Sequence, residues 1–95
     1  MADIKFEWDT AKNTRNIVKH GIDFLRALKI FQHSRVERID DRQDYGELRI
    51  VALGLAGMDV LQVIYTQPDV KVVRIISARK AARHERELYY REIHP

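Results

Sequence analysis

The chain has 95 residues, 45% of them hydrophobic and 33% charged, with a net charge of +3 and no cysteine. This length fits one domain, residues 1–95, and this balance excludes an intrinsically disordered chain. The lack of cysteine excludes disulfides, thiolate nucleophiles and cysteine-based zinc sites, and no apolar stretch approaches the ~20 residues that cross a bilayer. Since residues 1–9 hold three acids and no apolar run of a signal peptide, we expect a cytoplasmic protein with no membrane partner.

Basic residues are concentrated toward the C-terminus. Residues 71–95 contain seven Lys or Arg against three Glu, whereas residues 35–70 contain four Arg against seven acids. This asymmetry indicates that the C-terminal third binds a polyanion. The alternative is an ordinary solvated helix face with charge pairs at i,i+4.

The N-terminal third is predicted to form one edge strand and two helices. In chain order these are a strand over Ile4–Trp8, a helix from Asp9 to Lys19, and a helix from Asp23 to about Gln32. Asp9 and Asp23 are good N-caps, because an aspartate accepts hydrogen bonds from the first backbone N–H groups of a helix. Gly21 ends the first helix, and apolar residues at i, i+3, i+4 and i+7 form one stripe on the second.

The remainder of the chain is predicted to form strands followed by a third helix. The strands are Val36–Ile39, Glu47–Leu53, Val60–Thr66 and Val70–Ile76, joined by turns at Gly54–Met58 and Gln67–Asp69. Ser77 is predicted to cap a helix from Ala78 to about Glu92. Short turns favour antiparallel pairing. We therefore predict an α+β fold with two N-terminal helices, an antiparallel meander of three to four strands, and a C-terminal helix.

Two arginines interrupt aliphatic runs on predicted strands. Arg74 lies between aliphatic residues on the last strand, and Arg49 is placed in the same way on an earlier one. Two guanidinium groups on one sheet surface could bind a phosphate through paired N–H donors and stabilise its charge. The alternative is an ion pair of each arginine with a carboxylate such as Glu47 or Glu85.

The predicted third helix carries further candidates. Arg79 is predicted in its first turn, where a cation opposes the helix dipole unless an anion lies between them. Glu85 falls on the packed face, either as a partner of Arg74 or Arg49 or as a general base. Tyr89 falls there too, as a core residue or as one whose hydroxyl reaches a substrate.

His20 is the histidine best placed for chemistry. It ends the first helix, and an ordinary imidazole pKa of about 6.5 suits proton transfer near neutrality; the alternative is a C-capping histidine. We expect His33, His84 and His94 at the surface. Because no histidine pair has metal-ligand spacing and no acidic cluster resembles a magnesium site, we expect no metal or other cofactor.

These segments resemble the BrnT family of bacterial ribonuclease toxins from type II toxin–antitoxin pairs. The resemblance covers nearly the whole chain and rests on Phe6-Glu7-Trp8-Asp9, Lys12, Asn16, Lys19-His20-Gly21-Ile22-Asp23-Phe24, Gly46-Glu47-Leu48-Arg49, Arg74-Ile75-Ile76-Ser77-Ala78-Arg79-Lys80-Ala81, Arg83, Glu85, Arg86 and Tyr89. Ala82 departs from the family, which often has threonine there.

The resemblance implies a compact RelE-like fold and cleavage of RNA that arrests translation. It also implies a hetero-oligomer with a BrnA-type antitoxin, which neutralises the toxin. Promoter DNA would then be contacted only through the DNA-binding domain of that antitoxin.

We hypothesise the roles of the site residues from their chemistry. The reaction is attack of a ribose 2′-OH on the adjacent phosphodiester, with Arg49, Arg74 and Arg79 on the phosphate. His20 is the first choice for proton transfer. Glu47 or Glu85 replaces it only if burial raises the carboxyl pKa.

A second set of residues is predicted to bind RNA without taking part in the reaction. It comprises Trp8, Lys80, Arg83 and Tyr89. The two aromatic residues would stack on bases, and the alternative is that they pack in the core. The alternative function is a basic module that binds nucleic acid or a protein and performs no chemistry.

Overall fold

The computed structural model describes residues 3–93 of the chain. In chain order the elements are β1 (Lys5–Glu7), α1 (Thr10–His20), α2 (Phe24–Ala27), a 3₁₀ helix (Leu28–Gln32), β2 (Val36–Ile39), β3 (Arg49–Ala56), β4 (Asp59–Asp69), β5 (Val72–Lys80) and α3 (Arg83–Ile93). The strands form one sheet in the order β1-β5-β4-β3-β2. Strands β2 to β5 are the predicted antiparallel meander, and β1 pairs with β5 in parallel, so the sheet is mixed.

The first helix forms as predicted. The Asp9 side chain accepts a hydrogen bond from the Lys12 N–H at 3.0 Å, and Gly21 adopts a left-handed φ of 71° at the C-terminal end. The second predicted helix is also present, but it has two parts. Residues Phe24–Ala27 form α2, and Leu28–Gln32 form the 3₁₀ helix. Its apolar stripe packs on the sheet, with Phe24 and Ile30 fully buried.

The prediction that β3 ends before Gly54 is wrong. Gly54 lies inside β3, and the turn to β4 consists of Gly57 and Met58. A Cβ atom on Gly54 would lie 2.7 Å from the Cβ of Ile30, so the glycine lets the 3₁₀ helix approach the strand closely. This glycine therefore serves packing and not a turn.

The predicted turn at Gln67–Asp69 is also displaced. These residues extend β4, and the turn consists of Val70 and Lys71. The pairing of β4 with β5 shifts register between Thr66 and Asp69, which accommodates Pro68 without a backbone N–H.

The predicted start of the third helix is wrong. Ser77 and Arg79 belong to β5, and α3 begins at Arg83. Residues 78–80 pair with residues 61–63 of β4, which satisfies their backbone groups in the sheet. The strand continues along a sequence whose alanines and charges also suit a helix.

Two apolar clusters cover opposite faces of the sheet. The larger lies under α1, α2 and the 3₁₀ helix and includes Phe24, Ile30, Leu61 and Ile75. The smaller lies under α3, around Tyr89. Because α3 covers only part of its face, the other part is left to polar side chains.

Candidate functional site

Four arginines project from the sheet face on which α3 packs. Arg49 and Arg74 are each in register with Thr66 of β4, so all three side chains point to the same side. Arg38 is in register with Val51, and Arg79 with Gln62, which places both on that side as well. We name this surface the arginine face and define it as Arg38, Arg49, Arg74 and Arg79. Arg38 was missed from the sequence, although its alternation with Val36 on a predicted strand was a usable signal.

The predicted arginines do not meet at a single point. Arg49 and Arg74 are separated by one intervening strand, which sets their Cα atoms about 10 Å apart. Arg79 lies opposite Gln62, four residues along β4 from Thr66, and is therefore about 13 Å further along the face. Arg49 and Arg74 thus form one pair, whereas Arg79 stands at the α3 end.

Each arginine of the pair contacts a carboxylate. The Nε of Arg74 lies 2.7 Å from Glu7, and the Nε of Arg49 lies 3.1 Å from Glu47. The partner of Arg74 is thus a β1 residue and neither of the two acids predicted for it. The Arg74–Glu7 pair is exposed and therefore contributes only about 0–1 kcal/mol, whereas the Arg49 side chain is only 22% exposed.

Arg79 and Glu85 form a bidentate ion pair between β5 and α3. Arg79 Nη1 and Nη2 donate to the two carboxylate oxygens at 2.8 and 3.0 Å. Gln62 and the Ala82 N–H also donate to Glu85 at 2.8 and 2.7 Å. Burial raises the pKa of Glu85, but the Arg79 and Ala82 hydrogen bonds outweigh it and hold the pKa below its ordinary value.

Glu85 therefore anchors Arg79 and does not pair with Arg74 or Arg49. The condition for Glu85 to transfer a proton, a raised pKa, is not met. Three of the five N–H groups of Arg79 bond to Glu85 and to the Lys80 carbonyl, leaving two for another ligand.

His20 lies at the end of α1 beside a shallow groove of about 360 Å³ between α1 and β5. The groove is lined mainly by Lys12, Arg15, Lys19 and His20 from α1 and by Ile76 and Ser77 from β5. Partial burial, the charge of Lys19 and the charge of Arg79 together lower the pKa of His20 from 6.5. The lowered pKa favours the neutral imidazole. The charge of Arg79 contributes to this shift, although Arg79 is not among the residues that line the groove. Arg49 and Arg74 lie further along the sheet.

The two aromatic residues predicted to bind RNA both pack on the core, but only Tyr89 is fully buried. Tyr89 is 1% exposed and donates its hydroxyl to the Ser34 carbonyl at 3.3 Å, so the prediction that it stacks on bases is wrong. Trp8 is partly buried, with its ring 6.2 Å from that of Phe24 in an edge-to-face arrangement. Tyr89 is thus a core residue, the alternative weighed for it, whereas Trp8 is packed on the core with part of its surface exposed, and its stacking on bases stays a prediction.

The other two predicted RNA-binding residues are at the surface. Lys80 is exposed, with its Nζ 4.0 Å from the Asp59 carboxylate, and Arg83 pairs with Glu87 at 3.0 Å. His33 and His84 are exposed, as expected, and His94 lies outside the described residues.

The loop that follows β2 contains a buried carboxylate that sequence reasoning missed. Asp40 is 4% exposed and accepts hydrogen bonds from the Arg42 guanidinium at 2.8 Å and from the Tyr45 hydroxyl at 3.1 Å. The hydrogen bonds from Arg42 hold the pKa of Asp40 far below its usual range. The Tyr45 ring in turn lies 4.0 Å from the Arg49 guanidinium carbon.

Over residues 3–93, no group of three or more His, Cys, Asp or Glu side chains is arranged to hold a metal ion. In the same range, no helix has the length and apolar character needed to cross a membrane.

Fold and site together define a small α+β domain with a mixed five-stranded sheet and an arginine-rich face. The family model of the BrnT ribonuclease toxin of type II toxin–antitoxin systems matches residues 8–85. The crystal structure of the Brucella abortus ribonuclease toxin BrnT is similar, with a TM-score of 0.64 and 27% sequence identity over 84% of this chain and 99% of that chain. No curated protein matches the chain. The chain belongs to the BrnT family of ribonuclease toxins.

Proposed function

We propose that this chain is a metal-independent endoribonuclease that cleaves RNA by attack of a ribose 2′-OH on the adjacent phosphodiester. The observation that carries the proposal is the groove between α1 and β5, where His20 lies among the basic side chains of Lys12, Arg15 and Lys19. A neutral imidazole can accept the 2′-OH proton, and a neighbouring cation stabilises the negative charge that develops on the phosphate.

The scissile phosphate would lie between His20 and Arg79, at the groove beside α1. Glu85 partly neutralises the positive charge of Arg79. Additional positive charge comes from the α1 residues that line the groove, Lys12, Arg15 and Lys19. The pair of Arg49 and Arg74 would hold the RNA backbone further along the sheet. Arg83 on α3 and Lys80, whose side chain lies on the opposite face of β5 from Arg79, would contribute to binding from exposed positions near this end of the strand.

The cellular role follows from the family. Type II toxins act in pairs with a protein antitoxin, so we propose a cognate BrnA-type antitoxin as the partner in a hetero-oligomer. RNA cleavage in the cytoplasm would arrest translation. Promoter DNA would be bound only through the antitoxin.

The test is incubation of the purified chain with RNA in the presence of EDTA. Under this proposal new RNA fragments appear with 2′,3′-cyclic phosphate or 3′-phosphate ends, and His20→Asn abolishes them. His33→Asn is a matched control, because His33 is an exposed histidine on a different helix end. RNA that shifts in a gel but stays intact would instead support a binding module without chemistry.

A further inference from the structure

Arg49, the first residue of β3, stacks on Tyr45, which is in turn bonded to Asp40 on the loop between β2 and β3. Asp40 is buried at the base, the Tyr45 hydroxyl donates to it at 3.1 Å, and the Arg49 guanidinium carbon lies 4.0 Å from the Tyr45 ring centre. Arg42 also donates to Asp40 through Nε and Nη2. The Tyr45 side chain is therefore engaged at both ends, with its hydroxyl on Asp40 and its ring on the Arg49 guanidinium.

The anchor of this stack is a buried carboxylate that is ionised at neutral pH and bonded to Arg42 and Tyr45. The Asp40 side chain is fully buried, while Arg42 is 63% exposed. Hydrogen bonds to a charged acceptor are about twice as strong as neutral ones, so Tyr45 is held in one orientation. An arginine has several rotatable bonds and gains from lying over a fixed aromatic face.

We infer that Tyr45 is a positioning residue, which acts through Arg49 to aim its guanidinium at the RNA phosphate. This inference rests on the proposed function. Tyr45 itself need not contact the ligand, because its ring supports the guanidinium and its hydroxyl is engaged by Asp40. Glu47 also pairs with this guanidinium, at 3.1 Å from Nε. The contact with the Tyr45 ring therefore favours the orientation in which Arg49 can bind a phosphate over its ion pair with Glu47.

The chain contains a matched arginine on the opposite side of the sheet. The Arg35 guanidinium carbon lies 4.7 Å from the Phe31 ring centre, and its Nε is 3.1 Å from Glu37. Arg35 thus has an aromatic neighbour and a carboxylate two residues away, as Arg49 does. It lines the apolar groove beside β1 and not the arginine face.

The test is a double-mutant cycle on binding of a short 2′-O-methyl oligoribonucleotide, which cannot be cleaved. Affinity is measured for the full chain, Tyr45→Leu, Arg49→Met and the double variant over a range of salt concentrations. We expect Tyr45→Leu alone to weaken binding by about threefold to tenfold and to have no further effect in the Arg49→Met background. Tyr45→Phe keeps the ring but loses the hydrogen bond to Asp40, so its affinity should lie between that of Tyr45→Leu and that of the unmodified chain.

The salt dependence separates positioning from a structural effect. Each lost phosphate contact lowers the slope of log affinity against log salt by about 1. Tyr45→Leu removes no charge, so a reduced slope means that a cation has left the phosphate. Arg35→Met should change neither affinity nor slope.

Two results would overturn the inference in distinguishable ways. Equal losses from Tyr45→Leu with and without Arg49 would show that Tyr45 does not act through that arginine. Unchanged binding by Arg49→Met would remove Arg49 from the proposed RNA site as well, whether or not Tyr45→Leu has an effect.

Discussion

Asn16 of α1 pairs with the backbone of Ala78 in β5 as a neighbouring strand would. Its amide donates to the Ala78 carbonyl at 2.7 Å, and its side-chain oxygen accepts the Ala78 N–H at 3.2 Å. The same amide donates to the Ile22 carbonyl at 2.8 Å. β1 pairs only with residues 72–74 of β5, so Asn16 satisfies backbone groups on the edge that β1 leaves uncovered.

Asn16→Ala should lower the free energy of unfolding by about 2–3 kcal/mol, because it leaves buried backbone groups without partners. Asn16→Asp should cost more at neutral pH, since a carboxylate would face two carbonyl oxygens. Chemical denaturation of both variants at neutral and acidic pH measures these effects. The Asp variant should recover stability in acid, where its carboxyl is protonated, and the Ala variant should not; equal pH profiles would contradict the pairing.

The titration of His20 should determine the acid limb of the pH–rate profile for RNA cleavage. The reaction needs a neutral imidazole, so the rate should rise with pH through the pKa of His20, which lies below 6.5, and be level at neutrality. His20→Asn should lower the cleavage rate by about 10²–10⁴-fold.

Lys19→Gln should raise the pKa of His20, because one cause of its depression is removed. The acid limb should then move to higher pH, as measured by initial rates on a fluorescent RNA. Lys29→Gln, an exposed lysine on the 3₁₀ helix, is the control. If the acid limb of the Lys19→Gln profile does not move, the titration of His20 does not control the cleavage rate.

Acid should destabilise the fold partly through Glu85 and Asp40. Both carboxyl pKa values are lower in the folded chain than their ordinary values of 4.5 and 3.8. Their contribution is complete above those ordinary values and is lost as pH falls below them toward the folded pKa.

Glu85→Gln should therefore have a flatter stability profile in acid than the unmodified chain. At pH 7 it should be less stable by about 3 kcal/mol, because Arg79 loses its buried partner. For a domain this size such a loss lowers Tm by on the order of 15 °C. Thermal unfolding from pH 7 to pH 2 is the measurement, and parallel curves for the two proteins would argue against an ionised Glu85.

Arg74→Ala and Arg79→Ala should each abolish growth arrest on expression in a bacterial host. Arg74 is half-exposed and paired only with Glu7, so its variant should remain fully folded and antitoxin-bound. Arg79→Ala also leaves Glu85 unpaired, so Arg79→Gln, which removes the charge but keeps an amide donor for Glu85, is the better test at that position. Full growth arrest by a stable variant would remove that arginine from the mechanism.

The sequence by itself determined the element types and several of their boundaries. Caps and glycines act locally, so Asp9, Gly21 and Asp23 were identified correctly from neighbouring residues. Alternation along the strands placed Arg49 and Arg74 on strands, and residue chemistry singled out His20.

Only the tertiary structure decided which of these residues meet. The pattern after Ile76 suits a helix, yet pairing with β4 and Asn16 keeps residues 78–80 in the sheet, so Arg79 moved from the helix to the arginine face. Its partner Glu85, the proximity of His20, and the stack of Asp40, Tyr45 and Arg49 depend on contacts between separate elements. Such contacts depend on strand register and packing, which local residue preferences do not specify.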